Sequence, residues 1–169
     1  MIALILGGTR SGKSDYALTR LRRAGGPRVL LATGRAADLA FRRQINDHRA
    51  SRDPAVPVVE VGLDLPRAID EAKVACKAVL VDSLDFWLFA ADQAGRGRDG
   101  VGELLACLRG FSGAALFLVS GEIGLGPLPA DEATRAFARA LGALNLEAAR
   151  LAHEVVLVTA GLPLVLKKA

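Results

Sequence analysis

The feature that most constrains this sequence is an eight-residue run near its start, Gly7-Gly8-Thr9-Arg10-Ser11-Gly12-Lys13-Ser14. The run fits the pattern G-x-x-x-x-G-K-[ST], a loop whose backbone N–H groups surround phosphate oxygens. Such a loop lies between a buried strand and a helix. Residues 1–6 are apolar throughout and predict the strand, and residues 15–23 predict the helix. The run therefore predicts a nucleoside triphosphate site.

Each fixed position of this phosphate loop has a physical role. Gly7 and Gly12 allow turns that a Cβ atom would block. Lys13 is expected to neutralise the β and γ oxygens in a catalytic role, and the Ser14 hydroxyl to ligate Mg²⁺. The N-terminus of the following helix adds partial positive charge. Arg10 either adds charge near the phosphates or lies at the surface. The alternative is a glycine-rich turn that happens to carry a lysine, which leaves Ser14 unexplained. The residues predicted to bind nucleotide here are Gly7, Gly8, Thr9, Arg10, Ser11, Gly12, Lys13 and Ser14.

Strand-like apolar runs alternate with helix-like amphipathic stretches along the rest of the chain. Strands are predicted over 28–32, 56–61, 77–83, 114–119 and 154–159, with an edge hairpin at 160–166. Helices are predicted over 38–49, 65–75, 84–91, 101–108 and 131–153. The glycine-rich residues 95–100 are predicted to be a flexible connector or, alternatively, a substrate loop. This alternation predicts a single α/β domain over residues 1–169, with a three-layer P-loop NTPase-like fold and a mostly parallel sheet.

Asp82 ends the predicted strand over residues 77–83. An apolar strand with a terminal acid is the usual companion of a phosphate loop, because its carboxylate reaches Mg²⁺, often through water. The sequence therefore predicts a metal site on Ser14 and Asp82. The alternative is that Asp82 caps the helix over residues 84–91.

Composition narrows the range of partners. The formal net charge is +4, and 17 of the 22 basic residues are arginine, which suits phosphate contacts or a solvated basic surface. Aromatic residues make up 5% of the chain, too few to favour nucleic-acid binding.

The cysteines and the apolar runs indicate where the protein is expected to be located. Cys76 and Cys107 are far apart and predict reduced thiols in a cytoplasmic protein. No apolar run has the roughly 18 residues of a membrane span.

Several separated motifs resemble those of one family, in the same order along the chain. Ile45-x-x-His48-x-x-x-Arg52 resembles its I-x-x-H-x-x-x-R helix, and the phosphate loop resembles its G-G-[AT]-R-S-G-K-S. The stretch from Ser120 to Pro129 resembles its S-N-E-V-G-x-G-x-x-P, with Gly121 in place of the asparagine. Further matches are Thr33, Glu60, Asn145 and residues 161–163. The family is the bifunctional adenosylcobinamide kinase and adenosylcobinamide-phosphate guanylyltransferase of cobalamin biosynthesis.

The resemblance implies two reactions at one nucleotide site. A nucleoside triphosphate, GTP or ATP with Mg²⁺, would phosphorylate the hydroxyl of adenosylcobinamide. GMP would then pass from GTP through a guanylylated His48 to give adenosyl-GDP-cobinamide. The resemblance also implies a homo-oligomer. Outside the loop, the nucleotide-binding residues it implies are Thr33, Arg52, Glu60 and Asp82.

Two other functions remain compatible with the residues. One is a P-loop small-molecule kinase without nucleotidyl transfer, and the other is a non-catalytic nucleotide-binding regulatory protein. His48 shares a predicted helix face with Phe41 and Ile45, and such a histidine is usually structural. A neutral imidazole is nevertheless nucleophilic near pH 7. The N-K-x-D motif with which GTPase switches read guanine does not occur in the sequence.

Overall fold

The structure is a computed structural model, and it describes residues 1–33, 56–127 and 129–168. The predicted helix over residues 38–49, which carries His48, lies outside the described residues, as does Arg52.

The described strands form one seven-stranded sheet in the order β3-β2-β4-β5-β1-β6-β7. Their bounds are β1 Ile2–Gly7, β2 Arg28–Ala32, β3 Val58–Glu60, β4 Ala78–Asp82, β5 Ala115–Gly121, β6 Glu154–Thr159 and β7 Leu162–Lys168. Strands β1 to β6 are parallel to their neighbours, and β7 runs antiparallel to β6. The C-terminal ends of the six parallel strands therefore meet along one side of the sheet. We call this the carboxyl edge, formed by Gly7, Ala32, Glu60, Asp82, Gly121 and Thr159.

Five described helices cover the sheet on both faces: α1 Lys13–Arg23, α2 Leu65–Ala75, α3 Leu84–Gln93, α4 Gly97–Arg109 and α5 Glu132–Leu151. Helix α1 packs on one face through Ala17 and Leu21, both fully buried. The other four helices pack on the opposite face. The prediction of a three-layer α/β fold with a mostly parallel sheet is confirmed.

Strand β1 shows why the central strands are apolar without alternation. Its consecutive residues Leu4 and Ile5 point to opposite faces of the sheet, and both have 0% exposure. A strand covered on both faces must be apolar at every position, because neither set of side chains meets water. Among the described helices, none is both long and apolar enough to cross a membrane.

The prediction of a connector over residues 95–100 is wrong for residues 97–100, which are helical. Helix α4 begins at Gly97, four residues before the predicted start, and Gly100 N donates to Arg96 O at 2.8 Å. Glycine is used here for close packing, since a Cβ atom on Gly100 would lie 3.3 Å from Cζ2 of the fully buried Trp87. The composition indicated flexibility, but the packing of α4 against α3 determines the structure.

Candidate active site

The phosphate loop leaves β1 at Gly7 and enters α1 at Lys13, at the carboxyl edge. Two residues of the loop take left-handed backbone angles, with φ of 57° at Arg10 and 89° at Gly12. No described side chain caps the N-terminus of α1. The first N–H groups of this helix are therefore available to an anion, and the helix dipole favours negative charge at this point.

Close packing beneath the loop explains the two outer glycines. A Cβ atom on Gly7 would lie 2.4 Å from Ser11 Oγ and 2.7 Å from Val158 O. A Cβ atom on Gly12 would lie 3.2 Å from the Cα of Gly161, in the turn between β6 and β7. The same turn holds the loop directly, since Gly161 N donates to Ser11 O at 2.8 Å. The β6–β7 turn thus supports the phosphate loop from behind.

Lys13 is folded onto its own loop. Its Nζ atom donates to Gly8 O at 3.2 Å, and the residue is half-buried. Gly8, Thr9 and Arg10 are exposed, while Ser11 is buried. The lysine ammonium group therefore lies against the start of the loop, at Gly8.

Ser14 and Asp82 are brought together as the sequence predicts. Ser14 Oγ donates to Asp82 Oδ1 at 3.2 Å, joining the first turn of α1 to the end of β4. Asp82 is the last residue of β4, Ser83 is the N-cap residue of α3, and no described side chain caps this helix. The carboxylate of Asp82 therefore does not serve as the helix cap that was the alternative. Two oxygen donors facing a triphosphate site suit Mg²⁺, which binds few protein oxygens and completes its shell with phosphate and water.

Thr33 lies at the carboxyl edge but its hydroxyl is already engaged. Thr33 Oγ1 donates to Ser83 O at 2.6 Å and accepts from Ser83 N at 2.9 Å, and both residues are 2% exposed. These bonds tie the end of β2 to the start of α3, so Thr33 shapes the edge beneath Asp82. Glu60, at the end of the edge strand β3, is exposed and lies two strands away from β4.

The C-terminal end of β5 is held by hydrogen bonds between two residues that resemble family motifs, Ser120 and Asn145. Ser120 Oγ donates to Asn145 Oδ1 at 2.6 Å, and Asn145 Nδ2 donates to Gly121 O at 3.0 Å, with Ser120 and Asn145 both buried. Glu122 follows, its N–H donating to Gly7 O at 3.0 Å and its Oε1 accepting from Gly124 N at 2.9 Å. Helix α5 therefore positions the strand end beside the phosphate loop.

Sequence reasoning missed a group of polar atoms at the start of α3. Ser83 Oγ and Asp85 Oδ1 are buried without a hydrogen-bond partner in the described structure, as is Ser11 Oγ in the loop. Asp85 Oδ2 lies close to Gly121, 2.9 Å from where its Cβ atom would be. No spacing or motif singles out Asp85, which is one of three acids between residues 82 and 92.

The second histidine of the chain lies at the opposite edge of the sheet. His153 Nδ1 accepts the backbone N–H of Ile2 at 3.1 Å, at the start of β1. His153 joins the start of β1 to the start of β6 and is remote from the phosphate loop.

Sequence comparison adds the decisive observation to this geometry. A family model described as cobinamide kinase / cobinamide phosphate guanyltransferase, CobU, matches residues 3–166. The chain belongs to this family. A relative from Pseudomonas aeruginosa, named bifunctional adenosylcobalamin biosynthesis protein CobP, is 37% identical, with 97% of this chain and 96% of the relative covered. A relative from Salmonella typhimurium, named bifunctional adenosylcobalamin biosynthesis protein CobU, is 30% identical, with 99% and 100% covered.

Solved structures show the same fold in more distant proteins. An ATPase from a bacterial type III secretion system is similar with a TM-score of 0.59 at 15% identity, over 94% of this chain and 51% of that one. A KaiC-like protein from Pyrococcus horikoshii is similar with a TM-score of 0.51 at 18% identity, over 92% of this chain and 69% of that one. The CobU family chain described here thus has the P-loop NTPase fold that its sequence predicts.

Proposed function

We propose that this protein phosphorylates the hydroxyl of adenosylcobinamide with a nucleoside triphosphate and then transfers GMP from GTP to that phosphate. The product would be adenosyl-GDP-cobinamide. The observation that carries the proposal is the CobU family match over residues 3–166. The phosphate loop at the carboxyl edge, with Ser14 and Asp82 in contact, supports it. We also propose that residues 1–169 act as one domain.

In the kinase reaction, the protein mainly binds and orients the reactants. The loop N–H groups and the N-terminus of α1 would hold the triphosphate of ATP or GTP. Lys13 would leave Gly8 O and pair with the β and γ oxygens as charge shifts toward the leaving group. Ser14 and Asp82 would hold Mg²⁺, which neutralises phosphate charge when it is bound. Positioning and charge neutralisation of this kind account for most of phosphoryl-transfer catalysis.

In the guanylyl reaction, His48 would supply the nucleophile. A ring nitrogen forms a bond to the α-phosphorus of GTP, and the bond from that phosphorus to the bridging oxygen breaks, releasing pyrophosphate. A phosphate oxygen of adenosylcobinamide phosphate then attacks the same phosphorus and frees the imidazole. Arg52 and Glu60 would contribute to nucleotide binding in this step. The support for these roles is the match of Ile45-x-x-His48-x-x-x-Arg52 to the family helix.

A homo-oligomer is part of the proposal. Strand β7 is the outermost strand, pairs only with β6 in the described sheet, and is exposed along its whole length. It carries Leu162, Leu164, Val165 and Leu166 at exposures of 51% to 72%. An apolar, unpaired strand edge is unfavourable in water and favours pairing with another chain.

A labelling experiment tests the two-step assignment. GTP labelled at the α-phosphate should leave acid-labile, alkali-stable label on the parent protein. The His48→Ala variant should lose this label because it lacks the nucleophile. Phosphorylation of adenosylcobinamide should remain measurable, because the γ-phosphoryl group passes directly to the hydroxyl. The ratio of the two rates is the informative quantity.

His153→Asn provides the matched control. The asparagine Oδ1 can still accept from Ile2 N, so the fold and the label should both persist. Retained labelling in folded His48→Ala would contradict the role of His48. A parent protein that phosphorylates adenosylcobinamide but never acquires label would instead identify a kinase without nucleotidyl transfer.

A further inference from the structure

Asp85 lies at the carboxyl edge, in the first turn of α3. Its carboxylate reaches across to the last residue of β5, with Oδ2 2.9 Å from the position of a Cβ atom on Gly121. Gly121 is the sheet partner of Gly7, the first residue of the phosphate loop. The Asp85 carboxylate therefore approaches the strand that is the direct neighbour of the strand carrying the phosphate loop.

The buried oxygen of Asp85 lacks a donor. Oδ1 has no hydrogen-bond partner among the described residues, and two residues earlier the hydroxyl of Ser83, 2% exposed, also lacks one. Leaving a buried polar atom without a hydrogen bond is unfavourable for folding. Such a cost is expected where the missing donor is a substrate group, because functional sites retain arrangements that folding by itself does not favour.

Gly121 makes room for this carboxylate. A Cβ atom on Gly121 would lie 2.9 Å from Asp85 Oδ2 and 3.3 Å from Asp85 Cγ. Gly121 ends β5 and has no left-handed backbone angle, so no turn requires glycine. A side chain at Gly121 would therefore require the Asp85 carboxylate to move.

The other described acids of the carboxyl edge are less suited to meet an incoming hydroxyl. Asp82 accepts from Ser14, at the predicted metal site. Glu122 Oε1 accepts from Gly124 N and closes the turn after β5. Glu60 lies on β3, with β2, β4 and β5 between it and β1. Asp85 has a buried carboxylate oxygen without a hydrogen-bond partner among the described residues. It also lies against Gly121, the sheet partner of the first residue of the phosphate loop.

We propose that Asp85 is the base that accepts the proton of the acceptor hydroxyl in the kinase reaction; this rests on the proposed function. The hydroxyl oxygen forms a bond to the γ-phosphorus, and the bond from that phosphorus to the β–γ bridging oxygen breaks. The hydroxyl proton passes to Asp85 Oδ1, and the nucleoside diphosphate leaves with the electron pair. Guanylyl transfer does not need this base, because the attacking phosphate oxygen is already ionised near neutral pH.

The Asp85→Asn variant separates the two reactions in the opposite sense to His48→Ala. Loss of a general base lowers kcat by about 10²- to 10⁴-fold, so phosphorylation of adenosylcobinamide should fall by that factor. Labelling from α-labelled GTP, and GMP transfer to supplied adenosylcobinamide phosphate, should stay within about threefold of the parent. Retained labelling also demonstrates that the variant is folded and binds GTP.

Two further variants distinguish a base from a structural residue. Asp85→Ala should regain part of its kinase rate when sodium formate is added, because formate can occupy the space and accept the proton. Gly121→Ala should displace the carboxylate and lower the kinase rate by up to about 100-fold, the cost of roughly 1 Å of misplacement. Asp92→Asn, an exposed acid on the last turn of α3, is the control and should leave both rates unchanged.

An Asp85→Asn protein with parental kinase activity would overturn the proposal. So would an equal loss of both reactions in Asp85→Asn, or an Asp85→Ala protein that formate does not restore. Failure of the proposed function is a separate result, in which the parent itself does not phosphorylate adenosylcobinamide.

Discussion

Ser14 and Asp82 place two oxygen atoms of different chemistry 3.2 Å apart at the carboxyl edge. The serine hydroxyl is a neutral ligand and the aspartate supplies charge. Because Mg²⁺ is a hard cation that prefers oxygen, the charge of Asp82 should matter more than its shape. This division of roles can be tested with a single isosteric substitution.

The Asp82→Asn variant keeps the size of the side chain and removes its charge. Losing one charge-assisted interaction, about 1.5–3 kcal/mol, should lower turnover roughly 10- to 100-fold. Raised Mg²⁺ should restore part of the rate, which a titration of initial rate against Mg²⁺ would measure. Asp99→Asn, at an exposed position on α4, should leave the Mg²⁺ dependence unchanged. Parental Mg²⁺ dependence in Asp82→Asn would contradict the metal assignment.

Single residues differ in how well the sequence predicts their contacts. The contact between Ser14 and Asp82 was predictable, because the loop pattern and the acid at the strand end each have known partners. Thr33 was predicted as a nucleotide ligand, and its hydroxyl makes hydrogen bonds to the backbone C=O and N–H of Ser83. The role proposed for Asp85 was not predictable, because it rests on an approach to Gly121 that only the packed sheet creates.

Strand β6 and helix α1 are joined by an ion pair on the face opposite α2–α5. Arg20 Nη2 donates to Glu154 Oε2 at 2.7 Å, and the side chains are 23% and 16% exposed. The Arg20 guanidinium also lies 5.3 Å from the centroid of the Phe117 ring. The hydrogen bond from Arg20 lowers the pKa of Glu154 below its ordinary 4.5, more than burial raises it. The pair therefore holds α1 against the sheet, and with it the helix that begins at the phosphate loop.

The Glu154→Gln substitution should lower the free energy of unfolding by about 1–3 kcal/mol at pH 7. Because the folded-state pKa of Glu154 is depressed, the ion pair makes its full contribution to folding stability when the pH is above the ordinary glutamate pKa. That contribution is lost as pH falls through the folded-state pKa. The stabilities of parent and variant, measured by urea unfolding, should therefore become equal only when the pH lies below the folded-state pKa of Glu154. Glu103→Gln, in an exposed pair with Arg96, should change stability by less than about 0.5 kcal/mol. A difference that is constant with pH would contradict the role of this pair.

Elements were easier to predict than their ends. Helix α2 and strands β2 and β6 have the predicted bounds, because their apolar periodicity is regular and turn residues flank them. Helix α4 starts earlier than predicted, since Gly97 and Gly100 are usual markers of a loop. The packing of Gly97 and Gly100 against neighbouring side chains depends on the tertiary structure, which the sequence pattern does not show. The sequence also did not predict the order of the strands in the sheet, because pairs such as β1 and β5 join segments that are distant along the chain.

At the scale of the whole molecule, strand β7 presents a run of exposed apolar side chains, Leu162, Leu164, Val165 and Leu166. All seven of its residues are exposed, and Lys167 Nζ donates to Ala149 O, Arg150 O and Ala152 O at the C-terminal end of α5. The proposed homo-oligomer provides a physical reason for this exposure, because a second chain would remove the apolar side chains and the free strand edge from water.

A double substitution, Leu164→Lys with Leu166→Lys, should convert the oligomer to a monomer of 17.7 kDa. Paired lysines on a strand edge oppose strand pairing through charge repulsion and desolvation. Sedimentation velocity at matched concentrations would measure the mass. Val74→Lys, at an 85% exposed position on α2, controls for the loss of an exposed apolar side chain. An unchanged mass in the double variant would exclude β7 from the interface, and a monomeric parent would exclude the oligomer itself.

The contact between Gly161 and the phosphate loop makes the turn between β6 and β7 a structural support of that loop. Ser11 O receives its hydrogen bond from a turn that follows the last parallel strand, and Gly12 packs on the same turn. Trimming the final hairpin, or fusing a bulky tag to it, would thus alter the support of a loop that lies at the other end of the sequence. Shortened or fused versions of this protein should be judged by their affinity for nucleotide as well as by their folding.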